Sequence, residues 1–484
     1  MSKAFYLTTT LPYVNADPHI GFALELVHAD VIARYRKLRG DEVFFNTGTD
    51  EHGLKIYRKA TEEGKDPQAY TDEYAAKFQS LKTKLNLYED LHFIRTTDPK
   101  HKQAAQELWR RCAAAGDIYK KKYKGLYCAG DEAFIKESEL VDGKCPNHPT
   151  MEVVEIEEEN YFFKLSAYQG KLLAYLSSED VIVPEWRRQE AIQFVRRGLE
   201  DFSISRVREK MPWGVAVPDD DSQVMYVWFD ALTNYISTLG WPSSAKATEG
   251  KPEDLFEKFW VNGETVQLAG KDQIRFQSIM WQAMLTSAGL PTTKQVVYHG
   301  FITSEGKKMS KSLGNVVDPM AIVKEYGADA LRYFLARHVH PFDDSDFTIE
   351  RFREAYNADL ANGLGNLAAR VMQLAQTNLG TPVAVQFVPY PEAFMQALDA
   401  FKINEAVEYV ASRVQGLDQK INQTEPFKVV KVDAEKGKKL IEDLVHELAA
   451  IDLMLEPLIP ETSKRVIEAI MANKKPENLF PRKE

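Results

Sequence analysis

At 484 residues the chain has room for roughly three domains on the ~150-residue prior, each with a sizeable core. Hydrophobic residues at 44% and charged residues at 27% exclude wholesale disorder, and a net charge of −10 excludes a general nucleic-acid coat while leaving room for a local RNA-binding face. Three cysteines (Cys112, Cys128, Cys145) fit a reducing compartment, and the lack of a basic-plus-apolar leader or of an apolar run near ~20 residues predicts a soluble, cytoplasmic protein.

Ala4 to Leu11 has the length and composition of a strand. It runs into Leu11-Pro-Tyr-Val-Asn-Ala-Asp-Pro-His-Ile-Gly-Phe22, and Ala23 to Arg39 then carries Leu24, Val27, Val31 and Leu38 on one helical face, with Gly40 as a stop. A strand that turns through Asn, Asp and Pro into a helix leaves first-turn N–H groups available to an anion. Taken alone, the stretch is equally well an ordinary strand–turn–helix. Val43-Phe-Phe45 predicts a second buried strand, entering the polar loop Asn46-Thr-Gly-Thr-Asp-Glu-His-Gly53, and helical patterns follow at 66–87 and 99–115. Such alternation builds a parallel sheet with ligands at the carboxyl ends of its strands.

Residues 119–215, rich in Lys, Glu and aromatics, read as an inserted, mostly β module that splits this doubly wound α/β sheet into halves at 1–118 and 216–302. The second half offers the strands Met225-Tyr-Val-Trp-Phe-Asp-Ala231, Val266–Ala269 and Val296–Gly300. A loop region spans 303–350. Beyond about 320 strands are expected to disappear, and Ala321–Arg337, Glu350–Leu379, Gln396–Asn422 and Glu435–Ala472 carry helical periodicity, an all-α bundle over 351–484.

The loop Gly306-Lys-Lys-Met-Ser-Lys-Ser-Leu-Gly-Asn315 has glycines at both ends, two ammonium groups suited to phosphates (Lys308, Lys311) and hydroxyl donors in Ser310 and Ser312. A solvated basic loop is the plainer reading. Paired with His19-Ile-Gly-Phe22, however, Lys-Met-Ser-Lys-Ser resembles the double signature of class I aminoacyl-tRNA synthetases. Leu11-Pro-Tyr-Val-Asn, Thr49-Asp-Glu-His-Gly, Tyr226-Val-Trp-Phe-Asp-Ala and Gly270-Lys-Asp narrow the resemblance to methionyl-tRNA synthetases, over essentially the whole chain. It departs from the family at Phe22 and Gln277 (usually His), Leu232 (often Pro), Phe427 (usually Trp) and Asp131 (usually Cys).

The resemblance implies a Rossmann-like catalytic domain, a stem-contact region at 303–350 and an anticodon-binding bundle. It implies ATP-dependent ligation of L-methionine to tRNA(Met) through methionyl-adenylate. His19, Gly21, Lys308 and Lys311 become the catalytic group, and Gly270, Asp272, Met309, Ser310 and Ser312 join them around ATP, whose pyrophosphate brings Mg²⁺. Methionine falls to Leu11, Tyr13, Asp50, Trp228, Leu232, Tyr235, Phe276 and Gln277, an aromatic setting that suits a polarizable thioether. Glu25 and Arg206 are further active-site positions. Asn366, Arg370, Pro426 and Phe427 match the anticodon readers. Cys128, Asp131, Cys145 and His148 have zinc-knuckle spacing, compatible with a structural Zn²⁺ or with a metal-free knuckle held by packing. With nothing after the bundle, a monomer is expected. The alternatives are a class I synthetase for another apolar amino acid, against which the short insertion counts, and a tRNA-binding paralogue without catalysis.

Overall fold

Short runs of apolar, β-branched and aromatic residues form the central sheet because they are too brief for helices and are buried on both faces. The computed structural model describes residues 3–128, 133–135, 137–146, 149, 151–242, 254–309, 315–385 and 389–484, with the backbone alone at 123, 133, 134, 156 and 308. In it the runs are Ala4–Thr8 (β1), Glu42–Thr49 (β2), His92–Arg95 (β3), Ile182–Val183 (β4), Glu264–Gly270 (β5) and Gln295–His299 (β6). Their order across the sheet is β3-β2-β1-β5-β6-β4. β1 runs parallel to β2 and β5, β2 to β3, and β6 to β4. The order reverses between β1 and β5, so ligands of such a sheet belong at the carboxyl ends of those two strands.

The chain divides into two units. The first comprises 1–17, 40–80 and 89–298; the second comprises 18–39, 81–88 and 299–484. In the first unit Tyr6, Phe229, Trp260, Trp281 and Tyr298 are among the buried rings of one continuous core. The insertion is narrower than its sequence texture suggests. Ile118–Cys128 and Val153–Phe163 form a long antiparallel hairpin, while the helices Gln169–Leu176 and Glu185–Arg196 flank β4, which belongs to the main sheet. Residues 225–231 also differ from expectation. Asp220–Met225 is a strand of a small antiparallel sheet, and Val227–Leu232 is a helix. An unbroken apolar run fits a buried strand and a buried helix alike, which is why its periodicity misleads.

In the second unit the helix Ile20–Leu38 (α1) packs with the C-terminal helices. Asp30 of α1 and Arg332 are both fully buried and 2.7 Å apart. Arg332 also donates to the carbonyls of Leu458 at 2.9 Å and Pro457 at 3.2 Å, and Asp30 accepts from Arg34 at 2.8 Å and from the Tyr88 amide. Such a pair is worth little against an apolar substitute but is costly to break from one side. The long helical stretches read from the sequence are interrupted: at Gly327 (φ 90°), at Phe401 (φ 57°) and at Pro460, which opens a new helix. A short strand, Ser345–Phe347, pairs with Ile302–Ser304 in a region expected to lack strands.

Candidate active site

The loop after β1 stays in the first unit as far as Asp17, with Leu11 and Tyr13 half-buried. Tyr13 bridges to Asp50, just past the carboxyl end of β2: the Val14 amide donates to the Asp50 carbonyl at 3.2 Å, and the Asp50 amide donates to Pro12 at 3.0 Å. Asp50 itself is buried. Gly270 closes β5 with Asp272 exposed just beyond it. The sheet thus delivers Leu11, Tyr13, Asp50, Gly270 and Asp272 from the carboxyl ends of three neighbouring strands.

Trp228 and Phe276 are stacked face to face, with centroids 3.7 Å apart and planes 15° from parallel, and both keep partial solvent contact. Leu232 and Tyr235 are buried, and the Tyr6 hydroxyl donates to the Tyr235 carbonyl at 2.8 Å. Phe276 and Gln277 lie in the π-helical segment Ile274–Met280. Gln277 is 1% exposed and its Oε1 accepts no hydrogen bond, an open polar valence in an otherwise apolar setting.

A polar frame that the sequence reading did not assign holds this wall. His52 Nδ1 stands 2.6 Å from Asp230 Oδ2 and His101 Nε2 2.9 Å from Asp230 Oδ1, all three groups buried. Burial alone would raise the Asp230 carboxyl; the two imidazoles outweigh it and hold Asp230 well below the usual carboxylate range. Next to Asp50, Glu51 takes a bidentate fork from Arg95 at 2.7 and 2.9 Å, and its carbonyl accepts from the Trp213 indole at 2.6 Å. The Asp50 loop is thereby fixed to the helix that carries Trp228 and Leu232. His52 and Asp230 stand inside quoted motifs and were within reach of the sequence; His101 carries no local signal.

In the second unit His19 caps α1. Its Nδ1 accepts from the Gly21 amide at 3.1 Å, and an added Cβ at Gly21 would lie 3.0 Å from the ring, so only glycine fits without displacing it. The Ile20 amide donates to Val317, and those of Phe22 and Ala23 donate to His19. All four first-turn N–H groups are therefore engaged, and the open anion site expected there is replaced by the His19 ring itself. That ring reaches solvent, yet burial of the rest lowers its pKa and favours the neutral form. Glu25 is buried against His299 at 2.8 Å. Lys307–Lys308 is one arm of a hairpin whose turn, Glu305-Gly306, has positive φ at both residues, and Met309 follows. Ser310, Lys311 and Ser312 lie outside the described residues, as does the Lys308 side chain.

Arg206 is buried, lies 4.2 Å over the Tyr127 ring and donates to Glu158 at 3.2 Å. Burial would raise Glu158, but Asn160, Arg206 and Lys210 bring it below its ordinary value. This pairing ties Arg206 to the insertion hairpin. Cys128 and Cys145 are buried thiols, while Asp131 and His148 lie outside the described residues. Among the described residues no group of three or more metal-capable side chains converges.

The π-helical segment Tyr356–Gly365 leads into Asn366–Asn378 (α2), where Asn366 is exposed. Arg370 forks onto Asp418 and onto Asn422 at 2.9 Å, both on Ile403–Thr424 (α3). Pro426 is buried at the head of the next helix, and Phe427 is 40% exposed beside it.

The profile of the family described as "tRNA synthetases class I (M)" matches residues 5–155 and 149–372. A methionine–tRNA ligase of Thermotoga maritima is 39% identical over 98% of this chain and 76% of its own length. One of Rhizobium meliloti is 39% identical over 97% and 92%. A solved structure of the Mycobacterium tuberculosis methionyl-tRNA synthetase in complex with methionyl-adenylate aligns with a TM-score of 0.89 at 36% identity, covering 99% of this chain and 100% of that one.

Proposed function

The chain belongs to the methionyl-tRNA synthetase family of class I, and on that premise we propose how it acts as a methionine–tRNA ligase. ATP-dependent activation joins the methionine carboxylate to the α-phosphate and expels pyrophosphate. The carboxylate attacks as the anion it already is at pH 7, so the reaction asks for positioning and for positive charge or N–H donors rather than for a strong base. Asp50 pairs with the substrate α-ammonium from its buried place beside Tyr13. Trp228 and Phe276 form the wall for the thioether, completed by Leu11, Tyr13, Leu232, Tyr235 and Gln277. Asp272 and Gly270 receive the ribose. His19, with Gly21 making room for its ring, and Lys308 and Lys311 serve the phosphates, with Met309, Ser310 and Ser312 around them and Mg²⁺ arriving on the nucleotide. Glu25, locked to His299, steadies α1 behind His19, and Arg206 secures the insertion through Glu158.

The observation that carries this reading is the open Trp228–Phe276 stack, tied through Asp230 and His52 to the loop bearing Asp50. The second step passes methionine to the 3′-terminal ribose of tRNA(Met), whose anticodon meets Asn366, Arg370, Pro426 and Phe427. Exposure of Asn366 and Phe427 and the braced guanidinium of Arg370 support that role. The knuckle residues Cys128, Asp131, Cys145 and His148 would hold a structural Zn²⁺, supported by their spacing and by the burial of both thiols; metal analysis of the purified protein tests it. We propose that the enzyme works in the cytoplasm as a monomer.

Amino-acid-dependent ATP–pyrophosphate exchange tests the assignment. Methionine is expected to stimulate it far more than leucine, isoleucine or valine, and equal stimulation would sink it. Lys311→Ala is expected to lower adenylate formation by ~10²-fold or more with methionine binding little changed, as befits a charge that acts in the transition state.

A further inference from the structure

The second unit holds both α1, capped by His19, and the hairpin of Ile302–Ser304 and Lys307–Lys308. The chain enters that hairpin from His299, the last residue of β6, through Gly300 and Phe301. His299 is buried, and each of its ring nitrogens faces an oxygen. Nδ1 stands 2.7 Å from the Gly300 carbonyl, and Nε2 stands 2.8 Å from the buried carboxyl of Glu25 on α1. A carbonyl only accepts, so Nδ1 carries a hydrogen, and the Nε2 contact needs a second proton of its own. That proton sits on the more basic imidazole. The contact is then a charge-assisted bond inside the protein, costly to break from one side. His28, one turn beyond Glu25, shows the contrast: its Nε2 meets only the Leu335 carbonyl at 3.0 Å, and burial, opposed by that carbonyl and joined by the charge on His299, lowers it to about 4.

The far side of the hairpin returns to the same helix, where the Ile20 amide donates to the Val317 carbonyl at 3.1 Å. Between the two ties the hairpin is braced. Asp346 accepts from the Thr303 hydroxyl and the Gly306 amide, each at 2.7 Å, and Asp344 accepts from the Phe301 amide at 2.9 Å. Gly300 admits no side chain, because a Cβ there would lie 2.2 Å from the Asp343 carbonyl.

We propose that His299 is a positioning residue for adenylate formation: its ion pair with Glu25 fixes the entry of the lysine hairpin to α1 and so sets the spacing between that hairpin and His19. The inference rests on the reading above, in which both elements serve the phosphates of ATP. Donors on two separate chain segments stabilise one transition state only when their spacing is fixed.

The full-length variants His299→Ala, Glu25→Ala, their double and Glu25→Gln test this. In methionine-dependent ATP–pyrophosphate exchange each single alanine variant is expected to lose ~10–100-fold in kcat, with both KM values within ~3-fold of wild type. The double variant should lose no more than the worse single one, as two halves of one interaction do. Glu25→Gln, whose amide can donate to a neutral His299, should recover to within ~5-fold of wild type. Hydrogen exchange without substrates is independent of catalysis: amides of residues 303–308 should exchange at least ~10-fold faster in both single alanine variants, and those of Asp220–Met225 in the first unit should not change. If His299→Ala does not fold, Glu25→Ala against Glu25→Gln decides, by rate and by hydrogen exchange. Additive losses in the double variant, Glu25→Gln as slow as Glu25→Ala, KM values that move as much as kcat, or unchanged hydrogen exchange at the hairpin would each overturn the proposal while leaving the ligase reading intact. A wild-type chain without methionine-dependent exchange would overturn that reading, and the role of His299 with it.

Discussion

Asp230 and Asp452 are both buried, one in each unit, and burial acts on them in the same direction. They end up in opposite protonation states. Asp230 is held between His52 and His101 at 2.6 and 2.9 Å and stays ionised far below its usual range, whereas Asp452, with an open oxygen and a second carboxyl nearby, is pushed up to about 8. Depth sets the size of the penalty, and partners decide which form suffers it. The first arrangement makes a rigid frame behind the Trp228–Phe276 stack; the second leaves a buried oxygen without a hydrogen-bond partner.

The largest expected effect comes from breaking the satisfied site. Asp230→Ala strands two buried imidazoles and should cost about 3 kcal/mol of stability at pH 7, read by denaturant unfolding. Because the native carboxyl is depressed, its contribution is present above the unfolded value near 4 and is lost as pH falls through the native one. The gap between variant and wild type should therefore close in acid; a gap independent of pH would mean the ionised partner is not what stabilises the frame.

Trp228→Ala comes next. Losing the Phe276 stack and its apolar area should raise the methionine KM by ~10–100-fold with kcat largely kept. This variant sets a ceiling for the frame: Asp230→Ala should raise the same KM, and by no more. An unchanged KM would show the stack to be core rather than pocket.

The smallest effect belongs to the unsatisfied acid. A native pKa above the unfolded one gives stability that is full at low pH and lost as pH rises through about 8. Asp452→Asn escapes that loss, so its melting temperature should gain about 2–4 °C on wild type between pH 6 and pH 9. The same difference at both pH values would show that burial does not raise this acid.

How legible these features were depended on whether the signal is local. The turn at 11–22 and the parallel sheet follow from residues close in sequence, and the aromatic positions were proposed only through the family match. Residues 225–231 read as a strand because Tyr226, Val227 and Phe229 suit a buried strand as well as the helix they enter. The α1 start looked like an open anion site because the Ile20 donor finds its acceptor nearly 300 residues away, at Val317, which no local pattern announces. His101 is invisible for the same reason: its partners Asp230 and Ser237 lie far along the chain, and Gln106 and Lys102 on the same helix look no less functional. The left-handed break at Phe401 and the π-helical turns at 356–365 likewise leave no mark in the periodicity.

The His19 cap has a consequence for proton bookkeeping in the active site. Because Nδ1 accepts from the Gly21 amide, the neutral ring is fixed as the Nε2–H tautomer. His19 therefore carries an N–H donor at Nε2 without first acquiring a proton, and its depressed basicity costs it nothing as a donor. Protonation would add a hydrogen at Nδ1, collide with the Gly21 N–H and undo the helix cap, so the same residue that offers the hydrogen bond also resists becoming an acid.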